Sequence, residues 1–142
     1  MRKETSTTSP EGMTYAIEWG EDPDVVVRTE GTASVEGLHA MTMAVLDDPR
    51  FAPGMTAIFD HRRLDWSGMA APELRRRVED LERIEPRIRG CAAAVIAGSP
   101  ATFGLQRMMQ AYADANLSRT FSLNVFYSVE DAREWLRTVR PT

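Results

Sequence analysis

Five short segments of the chain carry the hydrophobic pattern of β-strands. In the first of them, Tyr15, Ile17 and Trp19 alternate with less apolar positions, and this period of two predicts a strand with one buried face. A later segment is apolar on both faces, as strands inside a parallel sheet tend to be. The predicted strands are Thr14–Trp19, Val25–Glu30, Met55–Asp60, Cys91–Ala97 and Ser122–Tyr127.

Four longer segments place apolar residues three and four positions apart, which is the helical period. Each follows or contains a residue suited to a helix start: Ser34, Ser99 and Ser128 as N-caps, and Pro72 in a first turn. The predicted apolar stripes are, in chain order, Leu38, Met41 and Val45; Leu74, Val78 and Leu81; Phe103, Met108, Met109 and Tyr112; and Ala132, Trp135, Leu136 and Val139.

The predicted order of elements is β-β-α-β-α-β-α-β-α. The link between the first two strands is short enough for an antiparallel hairpin, whereas a helix separates every later pair of strands, which predicts parallel pairing. The expected fold class is therefore α/β, with a mainly parallel five-stranded sheet and an antiparallel first strand. Residues 1–12 offer nothing to bury and are predicted to be a disordered tail, and residues 13–140 are predicted to form a single domain.

Composition and charge argue against several classes of protein and binding partner. The 142-residue chain has a formal net charge of −4, which gives no reason to expect nucleic acid. Its single cysteine, Cys91, excludes an internal disulfide, and we expect it to serve packing. The sequence contains no metal-ligand cluster, cofactor motif, signal peptide or membrane-spanning run. We therefore predict a cytoplasmic protein with no metal, no cofactor and no stable membrane insertion.

The second predicted helix carries a dense charged face beside its apolar stripe. Two pairs, Arg75 with Glu79 and Glu79 with Arg83, have the spacing of ion pairs on one helix face. We expect this face to be a solvated surface with weak pairs, and a surface for an acidic partner is the alternative. The charged residues assigned to it are Arg75, Arg76, Arg77, Glu79, Asp80, Glu82 and Arg83.

A polar stretch after the third predicted strand, Asp60 to Gly68, is predicted to be an exposed loop and is the main candidate for a functional site. The helix starts at Ser99 and Ser128 should lie at the same edge of the sheet, because the carboxyl ends of parallel strands meet there. Free N–H groups of those helix starts and the charges of Arg62 and Arg63 would attract an anionic ligand or an acidic protein surface, unless these arginines only neutralise nearby acids. The candidate binding residues are Asp60, His61, Arg62, Arg63, Asp65, Trp66, Ser67, Ser99 and Ser128.

Three segments also carry a likeness to a known family: Val25–Gly31, Ala57–Asp60 and Phe126–Leu136. In this layout the chain resembles the SpoIIAA-like and STAS domains, which are non-enzymatic regulatory and ligand-binding modules. The likeness extends from about Met13 to Arg140. It implies a superhelix of sequential parallel strands with the helices largely on one side. Part of the wider family shares its topology with the CRAL-TRIO lipid-transfer fold.

The same resemblance implies a candidate phosphoacceptor. In anti-sigma-factor antagonists of this family, a partner kinase phosphorylates a serine in an Asp-Ser-Ser-Gly turn after the middle strand. The nearest counterpart here is Asp65-Trp66-Ser67-Gly68, where Trp66 replaces a serine and the preceding loop is shorter. Ser67 is therefore a candidate phosphoacceptor, and a role as a turn residue or helix cap is the alternative.

The predicted function is a non-enzymatic STAS-like module that binds a protein partner or a small apolar, lipid-like or anionic ligand. A second copy of the chain is among the candidate partners. One alternative is a lipid-type carrier with an apolar pocket under the methionine-bearing helices. The other is a small hydrolase that uses Asp60, His61 and Ser67, which would require the hydrogen-bond geometry of a Ser-His-Asp relay. Because the usual hydrolase motifs are missing, an enzyme is not expected.

Overall fold

The computed structural model describes residues 3–8, 12–116 and 120–139, which form six strands and four α-helices. The predicted order of strands and helices is confirmed, with one further strand ahead of it. A short 3₁₀ turn, Glu85–Arg87, follows the second helix. The elements are β1 Lys3–Thr8, β2 Met13–Trp19, β3 Val25–Thr32, α1 Val35–Leu46, β4 Thr56–Asp65, α2 Ala71–Ile84, β5 Ala92–Ile96, α3 Pro100–Asn116, β6 Ser122–Phe126 and α4 Val129–Val139.

The strands form one sheet in which spatial order follows chain order, from β1 to β6. β2 pairs antiparallel with both β1 and β3, whereas β3 through β6 pair parallel. The predicted hairpin and the predicted parallel strands are therefore confirmed. Each parallel pair is joined by a helix, as a crossover connection requires.

The prediction of a disordered tail is wrong for Lys3–Thr8. This segment is strand β1, which pairs with β2 in a register that runs from Lys3 opposite Trp19 to Thr8 opposite Thr14. An edge strand is held by its backbone hydrogen bonds to one neighbour, so it needs no alternating apolar pattern. The remaining tail residues 1–2 and 9–11, and the predicted domain end at residue 140, lie outside the described residues.

The polar stretch after Asp60 was expected to be a loop, and most of it is strand instead. β4 continues to Asp65 because β3 pairs with it as far as Thr32. The register shifts between Arg28 and Glu30, which face Asp60 and Arg63. In such a β-bulge, one strand has an extra residue opposite its neighbour, which changes the direction of the nearby side chains. The bulge lies in the middle of the candidate site.

The helices divide unequally between the two faces of the sheet. Side chains of α1, α2 and α3 form the larger core with β2 and β3, whereas α4 covers Ala92, Ala94 and Ile96 of β5 on the opposite face. The arrangement implied by the family likeness, with helices largely on one side, is confirmed. Leu136 of α4 is buried and Trp135 is half-buried against Phe126, with ring centroids 5.6 Å apart.

Serine side chains begin three of the helices as predicted. Ser34 accepts a hydrogen bond from the backbone N–H of Gly37 at 2.9 Å. Ser99 accepts one from Thr102, and Ser128 accepts one from Asp131, both at 3.1 Å. These contacts satisfy N–H groups that have no partner within the helix.

Strand β6 lies at the end of the sheet, and side chains occupy part of its outer edge. Gln110 of α3 donates its amide to the carbonyl oxygen of Leu123 at 2.9 Å. Asn124 Oδ1 accepts a hydrogen bond from the backbone N–H of Val125, also at 2.9 Å. On the same helix, Met109 is buried as predicted, but Met108 is 40% exposed, so its predicted inward orientation is wrong.

Candidate functional site

Neighbouring residues of β4 face two different environments. Phe59 and His61 point toward the helix-covered side and line an internal cavity, whereas Asp60 and Arg62 line a groove on the other side of the sheet. This alternation is the ordinary period of a strand. The candidate stretch therefore contributes to two sites rather than to one exposed loop.

The internal cavity lies between the sheet and helices α1, α2 and α3, and its volume is about 110 Å³. Its walls are almost entirely apolar. They include Met41 and Met109, and the half-buried Cys91, whose thiol pKa is raised by burial. The other apolar side chains along the walls come mainly from α1 and the inner sheet face: Val25, Leu38, Val45, Leu46, Phe51, Met55, Ala57, Phe59, Leu81, Ile88, Ala92, Ala93, Val95, Phe121 and Leu123.

One part of the cavity wall is polar, and we call it the polar end. It consists of Thr42, His61, Trp66 and Arg77, which all line the cavity. Nη2 of Arg77 donates to Oγ1 of Thr42 at 2.7 Å, and the rings of His61 and Trp66 lie 5.5 Å apart. The prediction of an exposed loop is wrong for His61 and Trp66, which are 3% and 1% exposed.

Arg77 belongs to a buried ion pair that connects α2 to α1. Its Nη1 donates to Oδ2 of Asp80 at 2.7 Å, and their side chains are only 8% and 4% exposed. Asp80 Oδ1 also lies 2.7 Å from Nδ1 of His39 and 3.8 Å from Nη2 of Arg83. The assignment of Arg77 and Asp80 to a solvated helix face is therefore wrong, because α1 covers them and supplies their partners.

His61 is held by a threonine on the neighbouring strand. Its Nδ1 lies 2.7 Å from Oγ1 of Thr29, and that hydroxyl donates to the backbone oxygen of Asp60 at 3.2 Å. Burial, helped by the charge of Arg77, lowers the pKa of His61 from its ordinary 6.5 to about 3, although Asp60 acts in the opposite direction. The imidazole is therefore neutral near pH 7.

The three residues of the hydrolase alternative do not form a relay. Nδ1 of His61 binds Thr29 rather than the carboxylate of Asp60, which accepts two hydrogen bonds from the Arg62 guanidinium at 2.9 and 2.7 Å. Ser67 is exposed, whereas His61 is buried. A relay needs the nucleophile, base and acid in one hydrogen-bonded chain.

The second site is an open groove of about 410 Å³ on the outer side of β3 and β4, which we call the outer groove. Its arginines already have acidic partners: Arg62 binds Asp60, and Arg63 binds Glu30 at 3.2 Å. Partial burial alone would raise the pKa of Asp60, but the hydrogen bonds and charge of Arg62 hold it below its ordinary value. The lining residues are Arg28, Thr29, Glu30, Asp60, Arg62 and Arg63.

The helix starts predicted to join this edge do approach Arg62. A Cβ atom on Gly98 would overlap the backbone carbonyl of Arg62, so only glycine fits the turn that precedes Ser99. The pKa of Arg62 is raised mainly by its hydrogen bond to Asp60, and the charge of Glu130, two residues after Ser128, adds to the effect. The structure thus places the start of α3 beside Arg62 at the end of the outer groove.

Asp65 and Ser67 form a local turn at the end of β4. Oδ1 of Asp65 accepts a hydrogen bond from the backbone N–H of Ser67 at 2.8 Å, and Ser67 holds the pKa of Asp65 below its ordinary value. This contact is typical of an Asx turn. Ser67 is exposed, and its role as a phosphoacceptor stays a prediction.

Sequence reasoning missed the polar partners of the cavity. Arg77 lies three residues after Leu74, so its position on the apolar stripe was visible although its charge argued against burial. Thr42 and Thr29 are separated from their partners Arg77 and His61 by 35 and 32 residues. Within the described ranges, no group of histidine, cysteine and acidic residues could hold a metal ion, and no helix is long and apolar enough to cross a membrane.

Comparison with known proteins supports the architecture. No family model and no curated protein matches the chain. Among solved structures, it is similar to an uncharacterized protein of the DUF3478 family with a SpoIIAA-like fold from Shewanella loihica PV-4. The TM-score is 0.54 and the identity is 18%, over 88% of this chain and 94% of that chain. The likeness inferred from the sequence is thus confirmed for the architecture: the chain has a SpoIIAA-like fold.

Proposed function

We propose that this protein is a non-enzymatic binding module that holds a small, largely apolar molecule in its internal cavity. The main support for the proposal is the cavity itself, which has a volume of about 110 Å³ and lies between three helices and the sheet. Cavities of this kind are normally rare in protein interiors, which are packed about as densely as organic crystals.

The free energy associated with such a cavity favours a ligand. At about 24 cal/mol per Å³, an empty space of this volume destabilises a fold by roughly 2–3 kcal/mol. A molecule that filled it would recover dispersion contacts with the lining side chains. An apolar cavity of about 150 Å³ in another protein is known to stay dry and to bind benzene or xenon. We therefore expect a ligand of about benzene size or smaller.

The structure gives separate reasons against each alternative function. A lipid-type carrier would need a larger space, since pockets for drug-sized ligands span about 300–1,000 Å³. An anionic partner at the outer groove would have to compete with Asp60 and Glu30 for Arg62 and Arg63. The hydrolase alternative lacks a hydrogen bond from His61 to Asp60 or Ser67 within the described residues.

Benzene and xenon are direct probes of the proposed cavity. We expect benzene at ten times its Kd to raise the Tm by about 3–6 °C, because ligand bound only to the folded state adds about 1.4 kcal/mol to its stability. Xenon should shift the methyl NMR signals of Met41 and Met109, which line the cavity. Thermal melts, titration calorimetry and methyl NMR measure these effects.

A matched pair of variants makes the test specific. Ala93→Leu places three extra carbons in the cavity that Ala93 lines, so it should abolish benzene and xenon binding while the protein stays folded. Ala16→Leu adds the same atoms to β2 at a half-buried position that does not line the cavity, and it should bind both probes as the wild type does. The proposed function would be contradicted if the wild type bound neither benzene nor xenon. It would also be contradicted if Ala93→Leu bound them as tightly as the wild type.

A further inference from the structure

The polar end of the cavity offers a hydrogen-bond acceptor that no described residue uses. A hydroxyl has a single hydrogen, and Thr29 donates it to the backbone oxygen of Asp60. We therefore assign the short contact between Thr29 and His61 as one that Nδ1–H of the imidazole donates. This network assigns the proton to Nδ1 and leaves a lone pair on Nε2. Because burial keeps the ring neutral, with a pKa of about 3, Nε2 remains an acceptor.

Arg77 offers unused donors beside this acceptor. A guanidinium carries five N–H groups. Within the described part of the chain, Arg77 uses one of them for Asp80 and one for Thr42. Arg77 and His61 both line the cavity, and they are close enough for the charge of Arg77 to lower the pKa of His61. Donors and an acceptor therefore occur together in an otherwise apolar space.

The charge at this end of the cavity is already balanced. The Arg77 guanidinium is paired with the buried Asp80 carboxylate, which is also in contact with His39 and Arg83. A second carboxylate in the cavity would lose its hydration without gaining an unpaired cation. It would also face the lone pair of His61 Nε2. These conditions disfavour an anionic ligand and favour a neutral group that both donates and accepts.

We infer that the cavity binds a small neutral hydroxyl compound, an alcohol or phenol, whose O–H donates to Nε2 of His61 while its oxygen accepts from Arg77. This inference rests on the proposed function, since it specifies the ligand class of the same cavity. The apolar part of the ligand lies among the aliphatic and aromatic walls. At this end of the cavity, Nε1 of Trp66 is also a buried donor without a partner among the described residues, so a hydrocarbon would leave polar groups unused here.

Three aromatic probes of similar size test the inference on the wild-type protein. Phenol, fluorobenzene and benzene fill a similar volume, but only phenol carries an O–H donor. We expect phenol to bind about tenfold more tightly than either of the other two in titration calorimetry, which is the effect of about one buried hydrogen bond. Benzoate should bind more weakly than phenol, because the cavity would have to take up its charge.

A variant locates the effect at the proposed atom. His61→Phe keeps a planar ring but removes Nε2, so phenol should lose its advantage and bind within about threefold of fluorobenzene. Met108→Leu, at an exposed position of α3 that does not line the cavity, should keep the full advantage.

The possible results distinguish failure of the inferred ligand class from failure of the proposed cavity function. Equal wild-type affinities for phenol, fluorobenzene and benzene would overturn the inference and leave the cavity function intact. Tighter binding of benzoate than of phenol would also overturn it, since an anion would then be preferred. If none of the probes, including xenon, binds the wild type, the proposed function and the inference both fail. If His61→Phe does not fold, the wild-type series alone still decides.

Discussion

The cavity and the outer groove share strand β4, but polar and charged side chains are buried at the cavity, whereas the arginines at the groove are exposed. His61 and Arg77 on the cavity side are buried, and each relies on a fixed partner. Arg62 and Arg63 on the groove side are 48% and 80% exposed and form their ion pairs in contact with water. Successive residues of one strand therefore lie in environments of very different polarity.

The burial of a charged side chain determines how much its partner matters for the fold. A buried ion whose partner is removed keeps its full desolvation cost, whereas an exposed ion is solvated by water instead. We therefore expect substitutions on the cavity side to change stability strongly and those on the groove side to change it little.

Removal of Asp80 should have the largest effect. Asp80→Ala leaves the buried Arg77 guanidinium without its carboxylate partner, which should lower the unfolding free energy by about 3–5 kcal/mol. Glu30→Ala, which breaks the exposed pair with Arg63, is the groove-side control and should have a far smaller effect. Urea denaturation followed by circular dichroism measures both variants. A loss for Asp80→Ala no larger than that for Glu30→Ala would mean that Arg77 reaches water.

Replacement of both members of the buried pair tests whether the unpaired charge causes the loss of stability. Arg77→Met combined with Asp80→Leu removes both charges, so no ion is left without a partner. This double variant should recover most of the stability lost in Asp80→Ala, because apolar side chains can replace a buried ion pair at little net cost. A double variant as unstable as Asp80→Ala would assign the loss to packing rather than to the unpaired charge.

The buried imidazole should make stability depend on pH. The pKa of His61 is about 3 in the folded protein, against an ordinary value of 6.5, so the unfolded chain binds more protons between these values. The contribution of His61 is therefore fully present above about pH 6.5 and is lost as pH falls toward 3. We expect the unfolding free energy to fall by roughly 1 kcal/mol per pH unit below about pH 6.

Carboxylates also titrate at low pH, so the effect of His61 must be isolated as a difference. His61→Phe lacks the titrating group. Between pH 4.5 and 6, its unfolding free energy should therefore change by roughly 1 kcal/mol less per pH unit than that of the wild type. Urea midpoints at each pH give both curves. Parallel curves would indicate that the imidazole becomes protonated in the folded state without penalty.

The smallest predicted effects separate the two arginines of the outer groove. Arg62→Ala should cost about 1 kcal/mol, because it leaves the Asp60 carboxylate, only 12% exposed, without its double hydrogen bond. Arg63→Ala should cost less than about 0.5 kcal/mol, since its pair with Glu30 is exposed on both sides. Denaturation midpoints at low and high salt measure both. Equal losses of stability in the two variants would contradict the expected difference between the partly buried pair and the exposed pair.

Much of the fold could be predicted because its pattern is local. The alternation of strand and helix periods and the serine caps specify each element without reference to distant residues. Strand β1 escaped prediction because pairing by backbone alone leaves no apolar signal, although its threonines favour strands. The continuation of β4 past Asp60 depended on pairing with β3, which no local pattern in His61–Asp65 reveals.

The site was less predictable because it depends on contacts between distant segments. The sequence directed attention to His61 and Trp66, and both line the cavity, but their burial depends on helices elsewhere in the chain. The charge of Arg77 favours an exposed position, whereas its helical position places it on the buried side of α2. The cavity itself arises from how the core side chains fill space, and residue types alone do not determine that volume.

The side chains on the outer edge of β6 have a consequence for association between chains. An unpaired strand edge is a template on which another strand can add, and such addition leads to aggregation or strand exchange. Gln110 and Asn124 already occupy a carbonyl and an N–H of this edge, so an incoming strand would have to displace both. These two contacts make the edge a poorer template for growth of the sheet, because a second copy of the protein could pair there only after both hydrogen bonds were lost.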